Sequence, residues 1–146
     1  MDAVYERRPL RLNDHKNIRL IELVLPNTDD GVNDSLLECK LHVVSLEEES
    51  AYVALSYTWG VPEATGEIML DGEVVTIRKN LWDFLHEARR RRFVGFIFVD
   101  ALSIDQANFQ ERNHQVALMA RIYLGAKWVI VWQGDSSPSI KLTTTQ

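Results

Sequence analysis

Two short runs, "FIFV" (Phe96 to Val99) and "WVIVW" (Trp128 to Trp132), are apolar at every position, whichever face a strand would turn it to. A strand with one wet face alternates. A strand apolar on both sides has to be covered on both, and that is the habit of parallel sheets. A third such run, Tyr52 to Leu55, precedes them, and helical periodicity fills residues 80–92 and 110–124. Strand, helix, strand, helix, strand is the order of an α/β unit. The expectation is an α/β domain with a small, mainly parallel sheet flanked by helices.

The rest of the chain adds antiparallel pieces. "LLECKLHVV" (Leu36 to Val44) alternates between apolar Leu37, Cys39, Leu41, Val43 and polar Glu38, Lys40, His42, the period of a half-buried strand. "IRLIELVL" (Ile18 to Leu25) is apolar-rich, and the turn formers of "PNTDDGVNDS" separate the two. An N-terminal hairpin over 18–45 is expected, with Cys39 a small buried hydrophobe. "EIMLDGEVVTI" holds Asp71-Gly72 between apolar runs, a tight-turn signal that predicts an inserted hairpin. Asn80 reads as a helix N-cap with Asp83 in the capping-box position. Leu81, Phe84, Leu85 and Ala88 follow at the spacing of one face. That helix ends in Arg89 to Arg92, suited to a helix C-terminus and also to a phosphate. The α/β core is expected over 51–134, with 135–146 a polar tail.

The 146 residues suit one domain with a real core. A net charge of −5 argues against non-specific nucleic-acid binding. A single cysteine excludes an internal disulfide framework. His15, His42, His86 and His114 lack metal-ligand spacing, so no metal and no resident cofactor is expected. The first residues lack a signal peptide's apolar stretch, and no run approaches the roughly 20 apolar residues of a membrane span. An intracellular, cytoplasmic protein is the expectation, and the sequon at Asn33 reads as chance.

In open parallel sheets ligands bind beyond the carboxyl ends of the strands. Three tips qualify: Ser56-Tyr57-Thr58-Trp59-Gly60; Asp100 with Ser103, Asp105 and Gln106; and Gln133-Gly134-Asp135. On the last helix, Glu111, Gln115, Leu118 and Ile122 form one column beside Val116, Met119, Ala120 and Tyr123, with Asn113, His114, Ala117 and Arg121 outward. Glu111 and Gln115 thus extend a largely buried column to the helix start. There a carboxylate caps amides, pairs with Arg112 or another arginine, or acts on a ligand. The sequence leaves the three open.

"YVALSYTWG", "NLWDFLHEARR" and "FVDALSIDQANFQERNHQVALMARIYLGAKWVIVWQG", in this order, resemble the HET domain of fungal heterokaryon-incompatibility proteins. The resemblance runs from Ile18 to Gly134. It implies a fungal source and a part in non-self recognition, in which fusion of incompatible hyphae triggers programmed cell death. It also implies a likeness to TIR domains, flavodoxin-like modules that self-associate and in some members cleave NAD. The positions it carries over are Ser56, Tyr57, Trp59, Gly60, Asp100, Gln106, Glu111, Arg112 and Gln115. Where the family usually has Cys-Ile-Asn-Gln, this chain has Ser103-Ile104-Asp105-Gln106. The thiol is gone, and Asp105 adds a charge. Three functions follow: a signalling module acting through homotypic or other protein contacts; an NAD glycohydrolase with Glu111 or Asp100 as its carboxylate; and a short regulator of longer relatives.

Overall fold

A computed structural model describes residues 2–12, 16–26, 36–48 and 50–132. The turn-rich loop after Pro26 with its sequon, His15, the third strand tip at Gln133 to Asp135 and the tail lie outside the described residues. In chain order the elements are α1 (Asp2–Arg7), β1 (Asn17–Leu23), β2 (Glu38–Ser45), β3 (Tyr52–Tyr57), β4 (Thr65–Leu70), β5 (Glu73–Arg78), α2 (Lys79–Arg90), β6 (Phe96–Phe98), α3 (Asp100–Ser103), α4 (Phe109–Gly125) and β7 (Trp128–Trp132).

All seven strands join one sheet, in the order β5-β4-β2-β1-β6-β3-β7. The sheet is mixed, which corrects the expectation of a mainly parallel one. Parallel pairing holds β6, β3 and β7 together, with Ala54 opposite Phe98 and Val129, and recurs in a short contact of β2 with β4. The other pairs are antiparallel: β1 with β2 from Asn17↔Ser45 to Leu23↔Cys39, β1 with β6, and β4 with β5. The physical reason lies in the hairpins. They do not stand apart from the parallel core but continue its hydrogen bonding, so β1 sits between β2 and β6. Asp71 and Gly72 turn β4 into β5 with φ of 51° and 88°, both in the left-handed region that a tight hairpin turn needs.

Two apolar layers cover the sheet. On one face Ile21, Leu23, Cys39, Val53, Leu55, Ile97 and Val99 meet α1 and the Leu81, Phe84, Leu85, Ala88 stripe of α2. On the other, Ile18, Leu20, Tyr52, Ala54 and Phe98 meet Ile122 of α4. The inward column of α4 is the expected one of Glu111, Gln115 and Ile122, whereas Val116 (58% exposed) and Ala120 point away from the sheet.

Asn80 does not cap α2. Arg78 holds the N-cap position without a side-chain hydrogen bond. Asp83 pairs with Lys79 one turn away rather than closing a capping box. At the far end Glu87 binds Arg90 and Arg91, and Arg92 donates to the Pro26 carbonyl at 3.0 Å. Three of the four arginines thus have contacts within the chain.

Candidate functional site

Parallel β3 and β6 end on one edge of the sheet, and the first two predicted tips meet there. The ladder ends at Ala54 opposite Phe98, and Asp100 follows two residues on as the first residue of α3, near enough for its charge to act on the Tyr57 hydroxyl. Ser56 is exposed and on the α4 side. Tyr57 lies on the other side and stacks on Trp59, ring centroids 6.4 Å apart. The tip is tied down from the start of α2. Asn80 Nδ2 donates to the Thr58 carbonyl at 2.7 Å, and Arg78 Nη1 donates to the Gly60 carbonyl at 3.0 Å. The Arg78 guanidinium sits 5.0 Å over the Trp59 ring, a cation–π contact. Gly60 turns with φ 78°, and a Cβ there would stand 2.8 Å from Asn80 Nδ2.

These residues wall a cleft of about 170 Å³, lined by Tyr57, Trp59, Thr76, Ile77, Arg78, Leu81, Ala101 and Gln106. Two of the predicted blocks thus meet in one place: Tyr57 and Trp59 from the first, Gln106 from the second. Gln106 is positioned by donating Nε2 to the Asp100 carbonyl at 3.1 Å. Burial pushes the Tyr57 hydroxyl well above its ordinary value, with the Asp100 charge adding to the rise and Arg78 opposing it. Burial pushes Tyr123 to about 12, again with Asp100 adding; its hydroxyl donates to the Leu55 carbonyl. Asp100 itself, at the first position of α3, is raised by burial, against the lowering effect of hydrogen bonds from the Ala101 and Asp100 backbone.

Glu111 lies outside this cleft. It is the third residue of α4, and the Asn108 side chain caps its N–H at 3.1 Å. Its carboxylate, 4% exposed, meets Arg19 of β1 in a fork: Nη1 to Oε2 at 2.6 Å and Nη2 to Oε1 at 2.9 Å. The Asp105 N–H also donates to Oε2. Arg19 is itself 1% exposed, donates Nε to the Arg8 carbonyl at 2.7 Å, and has Tyr5 4.7 Å beneath its guanidinium. Of the three roles open to Glu111, the structure shows two: pairing with an arginine, which is Arg19, and holding a backbone amide, that of Asp105.

The other predicted residues fall in different places. Arg112 is exposed and lies over the Phe109 ring. Gln115, fully buried, donates Nε2 to the Asn17 carbonyl at 3.0 Å, and its Oε1 finds no partner. Asp105 accepts from the Ala107 N–H. Ser103, at the position of the family's usual cysteine, is buried and accepts the Val99 N–H at 3.1 Å. Sequence reasoning missed Arg19, Arg78 and the tethering role of Asn80. Arg19 did leave a signal: a cation flanked by Ile18 and Leu20 in an apolar-rich strand needs a buried partner. Among the described residues there is no cluster of three metal-ligating side chains, and no helix is long and apolar enough to cross a membrane.

Comparison with known proteins decides the family. A family model described as "Heterokaryon incompatibility protein (HET)" matches residues 52–146. The chain belongs to the HET family. It is similar to heterokaryon incompatibility protein 6, OR allele, of Neurospora crassa, with 31% identity over 135 residues. That alignment takes in 82% of this chain but only 19% of the relative's length. No solved structure matches. The HET match covers both walls of the cleft and Glu111, whereas Arg19 on β1 precedes its first residue.

Proposed function

We propose that this chain is a HET module of heterokaryon incompatibility, which passes on a non-self signal toward programmed cell death through protein contacts. The family match over residues 52–146 carries the reading. The state of Glu111 supports contact over catalysis. An NAD glycohydrolase needs a carboxylate facing the ribose as positive charge develops there. Both Glu111 oxygens are already held by Arg19, inside the protein and away from the aromatic cleft. The half-buried Asp100, raised by burial, is the carboxylate left at the strand tips for the NAD reading.

The test is inducible expression in a filamentous fungus, scored for growth arrest and vital-dye uptake. Purified protein is incubated with NAD in parallel, and free nicotinamide is followed. Arrest without nicotinamide release supports the reading. Release that disappears in Asp100→Asn would replace it with an enzyme, and a host that grows unaffected would remove it.

A further inference from the structure

The outer edge of β7 is built for a partner. The Leu46 N–H donates to the Lys16 carbonyl, and that phase, carried through the β1–β2, β1–β6, β3–β6 and β3–β7 registers, turns the backbone groups of Trp128, Ile130 and Trp132 toward β3. Backbone polar groups in a strand point alternately to its two edges. Val129 and Val131 therefore turn their N–H and C=O groups away from β3. β7 ends the sheet order, and among the described residues no strand meets that edge. Sheet edges are usually blunted by lysine, proline or a bulge; between Trp128 and Trp132 there is none of these.

The strand also reads the same in both directions: Trp-Val-Ile-Val-Trp. A two-fold axis at Ile130 would set Ile130 against its own copy, Trp128 against Trp132, and Val129 against Val131. The outward-turned residues are then the ones that fall in hydrogen-bonded pairs, so each unpaired group meets its complement. Side chains directly opposite point to the same face. On the α2 face an apolar cleft of about 140 Å³ opens beside Ile130 and Trp132, floored by Phe84, Ala88 and Phe93. The two-fold delivers Trp128 of the second copy next to Trp132, at the mouth of that cleft.

We propose that β7 is a self-recognition edge, across which two copies of this chain pair antiparallel about Ile130 into one continuous sheet. The proposal rests on the reading of the chain as a contact module and names the contact. A five-residue strand pair buries less than the about 1,200–2,000 Å² of a stable interface. The dimer is accordingly weak and concentration-dependent, suited to a signal set off by local accumulation.

Sedimentation equilibrium of the 146-residue chain over a concentration series tests this, with two double variants. Val129→Lys with Val131→Lys sets like charges opposite each other twice. Val129→Lys with Val131→Glu sets opposite charges there, at the same two positions and with the same number of charges. Wild type is expected to dimerise, the lysine–lysine variant to associate about tenfold more weakly or worse, and the lysine–glutamate variant to recover. Ile130→Cys, in a non-hydrogen-bonded pair with opposed Cα atoms about 4.5 Å apart, lies within disulfide reach. It is expected to cross-link under oxidation while Val129→Cys does not, which keeps the proposal testable if a charged pair unfolds the chain.

A dimer that survives in the lysine–lysine variant overturns the edge and leaves the contact reading standing. So does equal cross-linking at positions 129 and 130. A chain that stays monomeric throughout, with the Val129 and Val131 amides protected from deuterium exchange, overturns it in favour of another segment or protein covering the strand. Failure of the function itself is read separately, from growth in the fungal host.

Discussion

Arg19 and Glu111, 92 positions apart in the chain, meet in a two-bond fork sealed from solvent. One stands on β1, the other in the first turn of α4, so the pair joins the N-terminal strand to the helix that crosses between β6 and β7. Backbone groups share the load: Arg19 also donates to the Arg8 and Ser103 carbonyls, and Glu111 also accepts from the Asp105 N–H.

Breaking one side of the fork leaves a buried charge without its counter-charge, which costs about 3–5 kcal/mol. Glu111→Gln is therefore expected to lower the urea midpoint sharply. Arg19→Met with Glu111→Leu removes both charges and is expected to restore much of the loss. A Glu111→Gln protein as stable as wild type would contradict the geometry.

Gly60→Ala is expected to destabilise by about 1–2 kcal/mol, because an L side chain at φ 78° is strained. The added methyl also displaces Asn80, 2.8 Å away. The local sign is a loss of protection at the Thr58 and Trp59 amides in hydrogen exchange. Asn80→Ala, which removes the tether and leaves Gly60 alone, should loosen the same amides.

Asp100 has its carboxyl raised by burial, so the native state holds that proton to higher pH than the unfolded chain. Its contribution is favourable below the ordinary aspartate value and is lost as pH rises through the raised one. Asp100→Asn is expected to raise stability at neutral pH and to flatten the fall in stability across that acidic window. Thermal unfolding of both proteins from mildly acidic to neutral pH reads this directly.

Trp59 contributes a stack on Tyr57 and a cation–π contact to Arg78 at a partly exposed site, about 0.5–1 kcal/mol. Trp59→Ala should therefore stay folded. If the cleft is the surface through which the HET module signals, this variant abolishes growth arrest with little change in melting temperature. Full arrest by a folded Trp59→Ala protein would remove the cleft from the signalling path.

Much of this was legible in the sequence. β6, β7, α4 and the Asp71-Gly72 hairpin follow from local periodicity and turn chemistry, because each is decided by residues close in the chain. So does the inward column of Glu111 and Gln115. The place of β1 was not legible. An apolar strand announces that it is buried, not which strands lie beside it, and so nothing local placed the N-terminal hairpin in the middle of the sheet. Asn80 misled for a related reason. Its amide prefers the Thr58 carbonyl, 22 residues away, to the helix end beside it, and no local rule ranks those two partners. The cleft was half legible: Tyr57, Trp59 and Gln106 were marked by position at strand tips, whereas Thr76 and Arg78 reach it from β5, which the sequence assigned to a separate hairpin.

The central position of β1 has a further consequence for how the chain reaches its fold. β1 pairs on one side with β2, its neighbour in sequence, and on the other with β6, at Ile21↔Ile97 and Glu22↔Phe96. The N-terminal strand, which precedes the HET match, thus has to wait for residues near position 97 before its second edge closes, and for Glu111 before Arg19 is neutralised. Pairings of such long sequence separation fold slowly. During synthesis the β1–β2 hairpin emerges with an open apolar edge and an uncompensated arginine. The nascent protein therefore has an interval in which that strand edge is open to other chains before the rest of its own sheet arrives.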